Sequence, residues 1–129
     1  KVKDLQAKNM ELDEIIEYCL RSGIDGLVAG NTTRSRDGIT SISKEKIEEI
    51  GNGGMSGAPL HQKNLELVKY VHTKSEGKLP IIGVGGIMSP EQAKTMLDAG
   101  ASLVEIYTGF IYEGPALVKN IIKHLETTL

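Results

Sequence analysis

The sequence predicts an α/β fold built from parallel β/α units, and three observations predict it. Helix-like and strand-like stretches alternate along the chain of 129 residues. Two short apolar runs, 26–30 and 79–86, end in glycine, as central parallel strands do when they feed a ligand loop. Strand candidates beginning near 80 and 102 are about 22 residues apart, room for a crossover helix. Three strands leave two open edges, and a closed (β/α)8 barrel takes about 250 residues. The expected architecture is therefore a partial (β/α)8 TIM barrel, roughly its last three β/α units, with residues 1–129 as the carboxyl-terminal portion of a larger barrel.

Each element has its own justification. Residues 10–21 place Met10, Ile15, Tyr18 and Cys19 near one side at helical spacing, and Ser22-Gly23 stops the helix. Gly26-Leu27-Val28-Ala29-Gly30 reads as a buried strand that delivers Asn31, Thr32 and Thr33 at its carboxyl end. Positions 33–59 follow no strict period and carry Arg34, Arg36, a short helical candidate at 44–50 and the cluster Gly51-Asn52-Gly53-Gly54. Connections in compact domains usually run about 2–6 residues, so an excursion this long more often shapes a site than joins elements. Helical periodicity resumes over 60–75 through Leu60, Leu65, Val68 and Val71. After the strand ending at Gly86, Ser89-Pro90-Glu91-Gln92 is a helix start, with Ser89 as N-cap, Pro90 at the first helical position and Gln92 where a capping box takes Glu or Gln. That helix runs to Ala99-Gly100, the third strand covers 102–107 and closes on Thr108-Gly109, and Pro115 opens a last helix to about Leu125.

Composition excludes several classes. The 15 basic and 17 acidic side chains give a net charge of −2, which offers no basic face for a phosphate backbone, and four tyrosines and one phenylalanine leave little for base stacking. No nucleic-acid partner is expected. A hydrophobic fraction of 40% supports a packed core and excludes a disordered tail. Cys19 has no second cysteine to pair with, so a reducing, cytoplasmic setting is the default. There is no apolar run of about 18 residues and no secretory signal. The opening Lys-Val-Lys-Asp-Leu-Gln reads as the middle of a longer chain.

In parallel sheets and barrels ligands bind at the carboxyl ends of strands. Three such ends are visible: Gly30-Asn31-Thr32, Gly83-Val84-Gly85-Gly86 and Tyr107-Thr108-Gly109. The last two occupy the place where barrels build a phosphate site from main-chain N–H groups, with Thr108 as a hydroxyl donor and the helix start at Ser89 adding a favourable dipole. The same glycines also make tight strand-to-helix turns. Asn31 can pair with the amide edge of a flat heterocycle and Thr32 with a carbonyl or carboxylate, although Asn-Thr-Thr also turns and caps chains. A dinucleotide fingerprint fails, because Met88 stands where its third Gly or Ala belongs and Glu105 lies inside a strand. His61, His72 and His124 have no metal-ligand spacing and read as solvated surface side chains; no metal site is expected. Arg34 and Arg36 are either an anion clamp or solvated, and Phe110 and Tyr112 either core or a cofactor edge.

Asn31-Thr32-Thr33, the run from Gly53 to Leu60 (Gly-Gly-Met-Ser-Gly-Ala-Pro-Leu), that from Leu79 to Ile87, that from Ala99 to Thr108, and Gly114-Pro115 stand in an order and spacing that resemble the carboxyl-terminal part of dihydroorotate dehydrogenases, over residues 20–125. The wording Gly-Met-Ser-Gly-Ala-Pro-Leu and Ile-Tyr-Thr-Gly-Phe is closer to the class 2, quinone-linked members. The resemblance implies an FMN-dependent barrel that oxidises dihydroorotate to orotate in pyrimidine biosynthesis, taking a proton from C5 and passing a hydride from C6 to flavin N5, with quinone reoxidising the FMN. It implies that Gly57, Gly86, Tyr107 and Thr108 bind FMN, around its phosphate and ribityl chain, and that Asn31 and Thr32 contact the orotate ring. At Gly30 the family usually has a threonine touching FMN, so only backbone remains to serve there. Lys1 is the candidate for the family's flavin-contacting lysine, with the neighbouring proline absent. The catalytic serine base and the first substrate lysine lie upstream in the family, so no catalytic residue is expected within these 129 residues. The membrane-associating helical pair also lies upstream, which makes the whole protein cytoplasmic and peripheral on the inner membrane; a homo-oligomer is a further expectation. Two other readings stand beside this one: a non-catalytic half-barrel that binds phosphate or flavin, and a different FMN barrel such as a dihydropyrimidine dehydrogenase domain or a dihydrouridine synthase.

Overall fold

The computed structural model describes residues 9–37, 39 and 42–128, with the side chains of 9 and 10 outside that description. Lys1 and the place of Met10 on its helix face therefore lie outside the described residues. The element order is α1 (Asn9–Ser22), β1 (Leu27–Ala29), α2 (Lys44–Ile50), a 3-10 turn (Ala58–Leu60), α3 (His61–Lys74), β2 (Ile81–Val84), α4 (Pro90–Asp98), β3 (Leu103–Glu105), α5 (Thr108–Glu113) and α6 (Pro115–Thr128). The strands form one parallel sheet in the order β1-β2-β3.

Strand register explains which face is covered. Ala29, Gly83 and Val104 stand in one row, and Val28, Ile82 and Leu103 in the next. Successive side chains on a strand point to opposite faces. The first row meets the helices: Ala29 is buried, and a Cβ on Gly83 would lie only 2.5 Å from Met96 Cγ of α4. The second row faces away from them, with Val28 52% and Leu103 62% exposed. β1 is therefore not the fully buried strand its apolar run suggests; it is half covered. Helices on one face and an open apolar face on the other are the arrangement of a barrel wall.

The core sits between sheet and helices, where Val68, Val71, Ile81, Ala93 and Met96 have no exposed surface. α1 has the expected position but not the expected face. Leu12, Ile16 and Cys19 are buried at i, i+4 and i+7, whereas Ile15 and Tyr18 are exposed, Tyr18 by 64%. Ser43 caps α2 by accepting from Lys46 N, and Ser89 caps α4 by accepting from Gln92 N. Gln92 Oε1 in turn accepts from Met88 N at 2.8 Å, one residue before the position a capping box serves. The segment after β3 departs from expectation: α5 intervenes before Pro115, with Gly114 at its end in the left-handed region.

α1 is tied to α3 by a three-residue cluster. Tyr70 Oη donates to Asp13 Oδ1 at 2.6 Å, and Lys74 Nζ lies 3.0 Å from Asp13 Oδ2. The Tyr70 hydroxyl, and then the Lys74 ammonium, hold the Asp13 carboxyl below its ordinary value. A carboxylate depressed in the folded state contributes stability that is fully present above its unfolded value near 3.8 and is lost as pH falls through the lower folded value. Asp13→Asn should therefore flatten the acid limb of the melting temperature against pH. An acid limb identical to that of the unaltered protein would show that the cluster does not couple folding to protons.

Candidate functional site

The open face of the sheet and the loops above it enclose a cavity of about 210 Å³. Its floor continues the open row: Val84 and Glu105 are register partners at the carboxyl ends of β2 and β3, and Gly30 follows β1 at the same level. All seven residues singled out in the sequence line it: Gly30, Asn31 and Thr32 after β1, Gly57 from the long excursion, Gly86 after β2, and Tyr107 and Thr108 after β3. Three strand ends thus share one mouth.

The excursion reaches that mouth because its two ends are zipped together. Thr33 N donates to Met55 O at 3.1 Å and Met55 N to Thr33 O at 2.7 Å. Arg36 completes the closure, donating to Thr33 O at 3.2 Å and to the carbonyls of Gly51 and Gly53. Half-buried, it uses its guanidinium to staple backbone. A Cβ on Gly54 would lie 2.1 Å from Thr32 Oγ1, so only glycine lets this return strand pass Thr32. The chain then sets Ser56 and Gly57 against Thr108, whose hydroxyl donates to Ser56 Oγ at 3.1 Å.

Gly57 (φ +86°) and Gly86 (φ +78°) both adopt conformations that L side chains rarely take. Among the described residues no Lys or Arg lines this cavity, and Glu105 is its only acid. An anion here has to be held by main-chain N–H groups and hydroxyls, the chemistry of strand-to-helix phosphate sites. The helix start that serves the cavity is α5, at Thr108 and Gly109; Ser89 and the first turn of α4 do not line it. The Ser89 hydroxyl is occupied in capping Gln92 N.

Asn31 is exposed at the rim. Its Oδ1 accepts from Thr32 N at 2.8 Å, so the polar group the carboxamide still has to offer is Nδ2 with its two protons. The edge on offer is therefore a donor, suited to a carbonyl or carboxylate oxygen. A second cavity, of about 800 Å³, shares Gly30, Asn31 and Thr32 and runs past Lys63 along the free edge of β1. Arg34 lines that second cavity, while Phe110 and Tyr112 of α5 are exposed, Tyr112 by 75%.

Four residues of the site escape sequence reasoning. Ser56 hides in a glycine cluster, and Glu105 belongs to a strand, its signal being a charge in an apolar run. Asn64 is 3% exposed and donates from Nδ2 to Val84 O at 2.9 Å. It occupies an apolar stripe with Leu60, Val68 and Val71, and a polar residue at that spacing is the signal. His61 is the fourth, and it is half-buried where a fully solvated side chain was expected: its Nδ1 is buried and has no hydrogen-bond partner among the described residues. Burial holds its imidazole below the ordinary histidine value. The Thr95 hydroxyl donates to Gln92 O, so at 3.3 Å His61 Nε2 is the donor to Thr95 Oγ1, and the bare Nδ1 faces inward.

A parallel sheet with helices on one face and a polar-rimmed cavity over its strand ends defines a segment of a ligand-binding β/α barrel. The chain belongs to the dihydroorotate dehydrogenase family, whose family model matches residues 4–129. It is 50% identical over 106 residues to a protein of Salinispora arenicola named dihydroorotate dehydrogenase (quinone), covering 82% of this chain and 31% of that protein. A protein of the same name from Christiangramia forsetii is 49% identical over 111 residues, covering 86% of this chain and 31% of its own length. Among solved structures, ligand-free DHODH from Eimeria tenella superposes with a TM-score of 0.80 at 34% identity, over 90% of this chain and 31% of that one. The chain thus spans about a third of the length of the relatives it matches. Among the described residues, no helix is long and apolar enough to cross a membrane, and no cluster of three or more His, Cys, Asp or Glu is placed to hold a metal ion.

Proposed function

We propose that this chain is the carboxyl-terminal part of a quinone-linked, FMN-dependent dihydroorotate dehydrogenase, and that it supplies the phosphate end of the flavin site and one side of the orotate site. The convergence of seven residues from three strand ends and one loop on a single cavity carries the reading. The residues fit the cofactor's phosphate: two positive-φ glycines bare the main chain, and Thr108 and Ser56 bring hydroxyls to the same place. A cavity of about 210 Å³ is smaller than the ~300–1,000 Å³ of whole-ligand pockets, which suits one end of a long cofactor. FMN, when bound, supplies the redox chemistry, taking a hydride from dihydroorotate.

The chain's own residues then have positioning work. Main-chain groups at Gly57, Gly86 and Gly30, with Tyr107 and Thr108, hold the phosphate and ribityl end; Asn31 directs Nδ2 at an oxygen of the substrate, and Thr32 adds a hydroxyl. Holding reactants in one geometry is where most of the protein's share of such catalysis lies. No residue here takes the proton, so the base comes from the rest of the enzyme, as do the quinone site and the membrane contact. In the complete enzyme, orotate should raise the melting temperature and uracil should not. The 129-residue chain alone should show no turnover with dihydroorotate, FMN and a quinone. Protection by uracil in place of orotate would favour another FMN barrel. Turnover by the chain alone at the complete enzyme's rate would mean that a base lies within it after all.

A further inference from the structure

We infer that Asn64 is a positioning residue that locks the carboxyl ends of β1 and β2 to each other, fixing the spacing between the substrate contacts and the phosphate contacts. The inference rests on the flavin and orotate reading above and deepens it.

Asn64 sits on the buried stripe of α3 and is 3% exposed. An amide buried there without a partner is destabilising, so the partner it finds matters. Its partner is Val84 O, at 2.9 Å, the carbonyl with which β2 leaves its ladder for Gly85 and Gly86. Two glycines make room for the amide. A Cβ on Gly85 would lie 2.3 Å from Asn64 Nδ2, and one on Gly30 would lie 3.1 Å from Nδ2 and 2.0 Å from Val84 O. Both glycines have positive φ, +102° and +133°. The carboxamide therefore fills a notch left by two residues without side chains, one from each strand end. Gly30 precedes Asn31, and Gly85 precedes Gly86. Asn64 lines the larger cavity beside Gly30, Asn31 and Thr32 but not the 210 Å³ one, so it acts on a ligand in the smaller cavity through these neighbours.

The test uses the complete enzyme and measures orotate affinity and FMN retention in four proteins: the unaltered enzyme, Asn64→Leu, Asn64→Asp and Val68→Ala. Leucine keeps the branched skeleton and its number of heavy atoms and removes the donor. Val68→Ala, on the same helix and the same stripe, is the control for destabilisation. Asn64→Leu should weaken both orotate and FMN binding by about tenfold, the effect of one lost hydrogen bond, whereas Val68→Ala should lower the melting temperature and leave both affinities in place. In Asn64→Asp the neutral carboxyl can donate to Val84 O and the carboxylate cannot, so orotate affinity should recover toward that of the unaltered enzyme between about pH 8 and about pH 5. The unaltered enzyme and Asn64→Leu, measured over the same range, carry the background of the charged and titratable groups nearby, which are His61 and Lys63 on α3, Glu105 on β3 and the ligand. Unchanged affinities in Asn64→Leu, an equal loss in Val68→Ala, or a flat pH response in a folded Asn64→Asp would each overturn the inference alone. If Asn64→Asp does not fold, Asn64→Leu against Val68→Ala decides. An unaltered enzyme that binds neither FMN nor orotate sinks the functional reading and this inference together.

Discussion

Asn31→Asp in the complete enzyme should weaken orotate binding by a hundredfold or more, and Asn31→Ala by roughly tenfold, with FMN retention unchanged in both. The two differ because of how the carboxamide is held. Oδ1 is engaged by Thr32 N, which leaves Nδ2 as the group available to a ligand. Alanine removes a donor to an anionic ligand, worth about 1.5–3 kcal/mol when water is excluded. Aspartate keeps the shape but replaces that donor with an acceptor and sets a negative charge against an anion, so repulsion adds to the loss. Calorimetric titration with orotate gives both numbers, and the flavin spectrum reports whether the fold survives. If the aspartate variant bound orotate as tightly as the alanine variant, Asn31 would not be presenting its amide protons to the ligand.

The parts of the fold that were legible in the sequence are those where one local pattern decides the outcome. Ser89-Pro90-Glu91-Gln92 starts a helix in any surroundings, and Lys44–Ile50 forms as α2 with Ser43 as its cap. Where tertiary contacts decide, the sequence was ambiguous. In α1 the apolar residues Leu12, Ile15, Ile16, Tyr18 and Cys19 cover more than one face, and only packing against α3 selects Leu12, Ile16 and Cys19 for burial. The short helix α5 was missed because it is six residues long and begins without a side-chain cap, at Tyr107. Val28 looks like core by its neighbours, yet the register puts it in the uncovered row with Ile82 and Leu103.

The site followed the same division. Glycine-rich strand ends with Asn31, Thr32 and Thr108 beside them stand at the carboxyl edge of a parallel sheet, where ligands bind in such folds, and that placement is readable from the strand pattern alone. What the sequence could not convey is the path of the 33–55 excursion. Its closure depends on Arg36 meeting carbonyls 15 and 17 residues away. Asn64 reaches a carbonyl 20 residues away. Neither partner carries a side-chain signature, since both donors find backbone, and backbone oxygens are alike in sequence. For the same reason His61 was misplaced: its burial comes from Gly86 and α4 closing over it, not from its neighbours along α3.

Gly86→Ala should abolish FMN retention and leave little folded protein, whereas Gly51→Ala should cost only about 1–3 kcal/mol and leave FMN binding intact. The sign of φ does not separate these positions, since it is +78° at Gly86 and +76° at Gly51. A side chain held at positive φ costs about 1–3 kcal/mol. The surroundings separate them. A Cβ on Gly51 meets nothing within 4 Å, while one on Gly86 would lie 2.2 Å from His61 N and 2.5 Å from His61 Cα. These are main-chain atoms at the start of α3, and they yield only if the helix moves. Moving α3 would strain the Asn64 tie to Val84 and lift Val68 and Val71 from the core. Overpacking of this kind adds about 1–3 kcal/mol or more, and with the conformational strain it becomes a large share of the ~5–15 kcal/mol that holds a domain folded. Flavin absorbance and the unfolding midpoint of the two variants, prepared side by side, test the comparison. A yellow, folded Gly86→Ala enzyme would mean that α3 and the Gly86 loop can part without loss of the cofactor, and that the phosphate contacts do not depend on this close approach.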